Sequence, residues 1–209
     1  MQKILFNDKY GLTEAVLSGR KTQTRRIIPN CTGFRQSPFS PSGFEDNHGN
    51  PLKPKYDVGE VVAIGQCYHD VGIEPTTIIP MPIKGSKTGG IMQCEAKYAP
   101  GWTNKMFVKP EMMKHFIKIT GIRIGHLQDI STEDVLQEGF SELTVNNNWG
   151  NSAEHTEYHL DYLDGYSCYK TIGGPDAQES YGLLINKLSG QGVWESNPVC
   201  WIYEFELAK

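Results

Sequence analysis

Near the N-terminus a single glycine, Gly19, divides two incompatible side-chain rhythms, and that division constrains the fold of this chain more than any other stretch. Before it, Leu12, Ala15 and Val16 recur at the spacing of one helical face. Asn7 and Asp8 are placed to cap that helix, and Gly19 stands where a left-handed C-terminal residue is wanted. After it, Thr22 to Ile28 alternates as a strand, which Pro29 ends. The junction, Gly19 to Arg26, holds four cations (Arg20, Lys21, Arg25 and Arg26) and two hydroxyls (Thr22 and Thr24). Arg20 and Lys21 fall at the negative end of the helix dipole, which favours each by about 0.3–1 kcal/mol.

The remainder alternates between short apolar runs and long polar stretches. Ile4, Leu5 and Phe6 read as a short first strand, and Val61 to Ile64 as a strand buried on both faces. Ile91 to Tyr98 suits another strand. Ile117, Ile119, Ile122 and Ile124 keep a partial two-residue period, with a bulge or bend expected at Gly121. Ser131 to Asp134 resembles a capping box and opens a short helix that Gly139 stops, with Glu138 in its last turn. A longer helix is predicted from about Asp176 to Leu188, because Tyr181, Leu184, Ile185 and Leu188 share a face. Val199 to Leu207 forms the strongest strand pattern. Three inserts, at about 29–57, 69–90 and 141–176, are rich in proline, glycine or scattered aromatics and read as long loops. Several strands with few helices imply an α+β fold, a small mixed β-barrel with flanking helices, as one domain over residues 1–209.

Composition narrows the function. A formal net charge of −4 argues against a protein that coats nucleic acid non-specifically, although a local basic site remains open. Five cysteines, Cys31, Cys67, Cys94, Cys168 and Cys200, lie far apart without a Cys-x-x-Cys pair, the pattern of reduced thiols in a cytoplasmic protein. No run is long enough for a signal sequence or a membrane span, so no membrane partner is expected. His155-Thr156-Glu157 has the His-x-Glu form of zinc deaminases, and His155 with His159 has helical metal spacing. The second cysteine motif of those enzymes is absent, so no metal and no cofactor is expected. Lys84 to Gly90 ends like a phosphate loop but lacks its first glycine and reads as an ordinary loop.

The segment from Thr13 to Arg26 resembles the signature of the ASCH domain, a superfamily with a PUA-like β-barrel. Val58-Gly59-Glu60-Val61-Val62, His126 to Ser131 with Glu138-Gly139, and Gly192 to Pro198 are similar to further ASCH blocks in the same order. Gly101 to Val108 is similar to a segment of the longer ASCH proteins of phages and bacterial mobile elements. The resemblance implies a cleft that holds RNA or a modified nucleoside, formed by Arg20, Lys21, Thr22, Thr24, Arg25 and Arg26 with Gln66 and Trp102 nearby. One bacterial branch hydrolyses the amide of N4-acetylcytidine with a Lys, a Thr and a Glu, which by motif fall on Lys21, Thr24 and Glu138. Cleavage of RNA has also been proposed for members, and a mobile-element protein could instead use its inserts to bind a partner.

The residues fit such chemistry on their own terms. Amide hydrolysis needs a nucleophile, a base and an acid for the leaving amine. Thr24 offers a hydroxyl, Lys21 has cationic neighbours that favour its neutral form, and Glu138 sits at a helix C-terminus, where a carboxylate is disfavoured. Side chains three apart on a regular strand point to opposite faces, so Lys21 must still belong to the turn. The plain alternatives are a solvated helix end followed by an edge strand, and for Arg25 and Arg26 one arginine covering the core and one at the surface. Many long ASCH proteins carry an Arg-Glu pair before an aromatic, where this chain has Gly65 and Gln66 before Cys67 and Tyr68. A charged pair of the cleft is therefore missing.

Overall fold

The computed structural model describes residues 1–82, 90–146, 154–163 and 169–208. In chain order, β1 is Lys3–Ile4, α1 Leu12–Leu17, β2 Gln23–Ile27, β3 Phe34–Gln36, β4 Phe44–Asp46 and β5 Val61–Ile64. There follow β6 Ile78–Pro82, β7 Ile91–Glu95, β8 Phe116–His126, α2 Thr132–Gln137, β9 Ser141–Asn146, β10 Glu154–Leu163, β11 Tyr169–Gly174, α3 Ala177–Ser189 and β12 Val199–Ala208. The fold is thus mixed, with many strands and few helices, and among the described residues no sheet closes into a barrel. Also among the described residues, no helix is long and apolar enough to cross a membrane.

The chain forms two compact units. The first comprises Met1–Phe6, Val61–Ile117 and Ala208–Lys209. Here β1 runs parallel to β5, with Lys3 opposite Ala63 and Ile4 opposite Ile64. Ala63, Val108 and Met113 pack as one apolar cluster, and Ile79, Ala96 and Ala99 as another, with Trp102 laid against the second. The β6–β7 ribbon is antiparallel. Between β7 and β8, residues 96–112 fold into four short 3-10 turns rather than extending the strand to Tyr98.

The second unit comprises Asn7–Glu60 and Lys118–Leu207. Its sheet has the order β8-β12-β2, which leaves β2 at an edge. β2 and β12 are antiparallel, with Thr24 opposite Tyr203 and Arg25 opposite Ile202. α3 is capped by Asp176, whose side chain accepts the Glu179 N–H. It buries Tyr181, Leu184 and Ile185, and burial of such a side chain contributes about 1.5–3 kcal/mol. Tyr181 stands edge-on to both Phe140 and Trp194.

Several local expectations are corrected. α1 is not capped by Asn7 or Asp8, because Asp8–Tyr10 forms a 3-10 turn and the left-handed Gly11 precedes the helix. β8 passes through Gly121 without interruption. That glycine instead leaves room for Glu204, whose Oε2 would lie 2.6 Å from an added Cβ. The segment from Ser141 to Gly174 is not a loop: β9, β10 and β11 form an antiparallel sheet, in which His159 pairs with both Ser141 and Gly173. The first insert likewise contains the β3–β4 hairpin. Residues 84–89 of the phosphate-loop-like stretch, and Cys168, lie outside the described residues.

Candidate functional site

The junction after α1 is held by backbone bonds at both ends. The Lys21 N–H reaches back to the Ala15 carbonyl at 2.8 Å, which keeps Lys21 in the helix-ending turn, and β2 begins only at Gln23. The Thr22 N–H donates to the Gln137 carbonyl at 2.8 Å, joining the turn to the end of α2. Gly139 makes this approach possible. Its φ is +106°, and an added Cβ would lie 3.3 Å from the Cβ atoms of both Ala15 and Lys21.

Glu138 is placed against the turn by that contact. Lys21 and Glu138 are each only 3% exposed, and the Lys21 ammonium forms a short ion pair with Glu138 Oε2 while also donating to the Glu138 carbonyl at 3.0 Å. Glu138 Oε1 accepts the backbone N–H of Arg25 at 2.9 Å. The Arg25 guanidinium donates through Nη2 to Asp134 Oδ2 at 2.6 Å and lies 3.5 Å through Nη1 from Glu138 Oε1. Asp134 Oδ1 in turn accepts from Arg123, which also donates to Gln23 at 2.8 Å and to Glu204 at 2.9 Å. Three cations and three carboxylates therefore form one connected, formally neutral network.

Burial pushes the Lys21 ammonium below its ordinary value of 10.5, while the charge and hydrogen bond of Glu138 oppose that shift. Arg26 and Arg25 add to the lowering. Burial also works against the Arg25 guanidinium, but Glu138, Tyr181 and Asp134 hold it above its usual range. The Tyr181 phenol is raised well above 10, first by burial and then by the Glu138 charge. Cys200 is pushed up to about 12, again mainly by burial. This thiol is a packing group and not a nucleophile.

The predicted residues separate into groups. Lys21, Arg25 and Glu138 come together, whereas Arg20 is exposed, with a long contact from Nε to Ser18 Oγ at 3.4 Å. Thr24 is buried and opposite Tyr203, and among the described residues no side-chain hydrogen bond joins it to Lys21 or Glu138. Arg26 is half-buried and opposite Trp201. Arg25 does not present its fork to a phosphate, because the side chain is buried and ion-paired with Asp134 and Glu138. Thr22 lines a polar depression of about 280 Å³ together with Thr120, Arg123, Asp134, Gln137 and Glu204.

Gln66 and Trp102 belong to the first unit. Gln66 is buried and accepts the Lys114 N–H through Oε1 at 2.8 Å, and Trp102 stands edge-on to His69. An added Cβ at Gly65 would meet Leu5 Cδ2 at 2.3 Å and the Ile4 carbonyl oxygen at 3.2 Å, so a large side chain has no place there unless Leu5 moves. His155 and His159 lie on strand β10 rather than on a helix, and each bonds to one oxygen of Glu157 at 2.9 Å. Among the described residues no three His, Cys, Asp or Glu side chains are grouped to hold a metal ion.

Asp134, Arg123 and Glu204 are the members of the network that the sequence reading missed. Asp134 was legible in principle: it precedes Glu138 by four residues, the spacing that puts two side chains on one face of a helix. Arg123 carries no such signal, since only the sheet brings it to α2. No protein-family model matches the chain, nor does any curated protein or solved structure.

Proposed function

We propose that this chain is an ASCH-type protein with a PUA-like core, whose Lys21–Glu138 centre takes a modified nucleoside and not the phosphate backbone of RNA. The observation that carries this reading is the charge balance. Lys21, Arg25 and Arg123 are matched by Glu138, Asp134 and Glu204, so the locus offers polar contacts without net attraction for an anion. An uncharged ligand with several hydrogen-bonding groups suits it.

A second reading, hydrolysis of an acylated nucleoside, draws support from the lowered Lys21. Moving one proton across the Lys21–Glu138 bond turns an ammonium and a carboxylate into an amine and an acid. The amine then takes the Thr24 proton as the hydroxyl oxygen attacks the acyl carbon. The carbon–nitrogen bond breaks as the leaving nitrogen receives the proton of Glu138, and water cleaves the acyl-threonine by the same two groups.

Incubation with N4-acetylcytidine, followed by chromatography, separates the readings. Release of cytidine that Thr24→Ala abolishes is the result expected of hydrolysis. Binding without turnover, weakened by Lys21→Ala, is the result expected of a binding centre. Neither binding nor release of acetylcytidine or other acylated nucleosides would overturn both.

A further inference from the structure

The charge of the chain is divided unequally between the two units. By sequence the first carries eight lysines, of which Lys84, Lys87 and Lys209 lie outside the described residues, no arginine and four carboxylates, a formal +4, so the chain total of −4 leaves −8 on the second. An anionic partner is therefore drawn to the first unit and repelled from the second.

Within the first unit the cationic surface is also aromatic. The four 3-10 turns between Ala96 and Met112 are anchored by buried Ala96, Ala99, Val108 and Met113. Lys3 pins the same backbone by donating to the carbonyls of Lys105, Met106 and Val108 at 3.0, 2.6 and 2.7 Å. From this fixed frame Tyr98 projects 71% exposed, Met106 64% and Phe107 60%. Lys109 and Lys114 are exposed beside them in sequence, whereas the exposed Lys97 pairs with Glu95 at 2.6 Å and lies 4.9 Å from the Tyr98 ring centre. Held on a pinned backbone, these exposed side chains meet a ligand with little further loss of freedom.

We propose that this arch, residues 96–114, is a binding surface for single-stranded nucleic acid, separate from the Lys21 centre. Its chemistry fits that partner on two counts. Unpaired bases offer π-faces that stack on Tyr98 and Phe107, which a duplex conceals. Lysines supply point charges along a phosphate backbone, and the absence of arginine removes the bidentate fork used to read base edges, so binding is insensitive to sequence. The arch would hold a strand while the second unit acts on a nucleoside.

The test is fluorescence anisotropy of the full chain with a labelled mixed-sequence oligonucleotide of about 20 residues, as RNA and as DNA, single-stranded and duplex. Single strands are expected to bind at least about ten-fold tighter than duplex, and Tyr98→Ala with Phe107→Ala to lose about ten-fold. Lys109→Ala with Lys114→Ala should reduce the slope of log affinity against log salt by about 1.4. All four positions are exposed, so unchanged melting temperatures serve as the check on folding. Excess N4-acetylcytidine should leave strand binding unchanged, which distinguishes this surface from the nucleoside centre. The proposal is overturned by absence of strand binding, by variants that bind as the parent does, by displacement of the strand by N4-acetylcytidine, or by poly-glutamate competing as well as the oligonucleotide.

Discussion

Glu138 accepts the backbone N–H of Arg25 at 2.9 Å, so a helix-terminal carboxylate completes the hydrogen bonding of an edge strand more than a hundred residues earlier. Its other oxygen holds Lys21. These contacts bear on folding independently of the proposed ligand role, and the two can be separated experimentally.

Removing one member of the buried pair leaves the other charged and unmatched. Lys21→Met is expected to cost about 3–5 kcal/mol in urea denaturation, while Lys21→Met combined with Glu138→Gln costs less than the single change. Strictly additive losses would show that the two side chains are not coupled.

The pH dependence has a definite sign. Burial lowers Lys21 in the folded chain, so the unfolded chain binds that proton more firmly. The contribution of Lys21 to stability therefore rises with pH from the folded-state value up to the ordinary 10.5, above which both states are deprotonated. The stability of the parent minus that of Lys21→Met should increase as pH rises towards 10.5. A flat difference over that range would refute the lowering.

The Arg25 amide offers a local readout. In the parent it should exchange slowly with solvent deuterium, and Glu138→Ala should speed its exchange by at least about ten-fold, since a hydrogen bond to a charged acceptor contributes about 1.5–3 kcal/mol. Glu138→Gln, which keeps an acceptor oxygen, should retain most of the protection. Equal exchange in parent and Glu138→Ala would mean that the carboxylate does not cover this edge.

Gly139 is a position where one methyl group is expected to matter. With φ at +106° and two Cβ atoms at 3.3 Å, Gly139→Ala should cost about 1–3 kcal/mol, visible as a lower melting temperature. Gly19→Ala, also at positive φ but with nothing within 4 Å, should cost less.

The parts of the fold that were legible in the sequence are those governed by neighbours along the chain. The α1–turn–β2 junction, the Ser131 and Asp176 caps and the alternating β12 all rest on spacings of two to four residues, and all appear within a residue or two of where they were expected. The β9–β10–β11 sheet was missed because its polar and aromatic residues alternate without a clear apolar face. Only cross-strand partners such as Leu160 and Ile172 give it an interior. The site was half legible. Lys21 and Glu138 followed from a motif, but the neutralisation of Arg25 depended on Asp134, which packing between α2 and β2 brings to it.

Because β2 is the border of its sheet, the coverage of Arg25 has a consequence beyond this molecule. An outward N–H on an edge strand is the group to which a second chain adds by continuing the ladder. Glu138 occupies that position with a buried charge, so an incoming strand would have to displace a carboxylate already bound to Lys21. The carboxylate that holds Lys21 in its buried turn thereby also guards the protein against templated self-association.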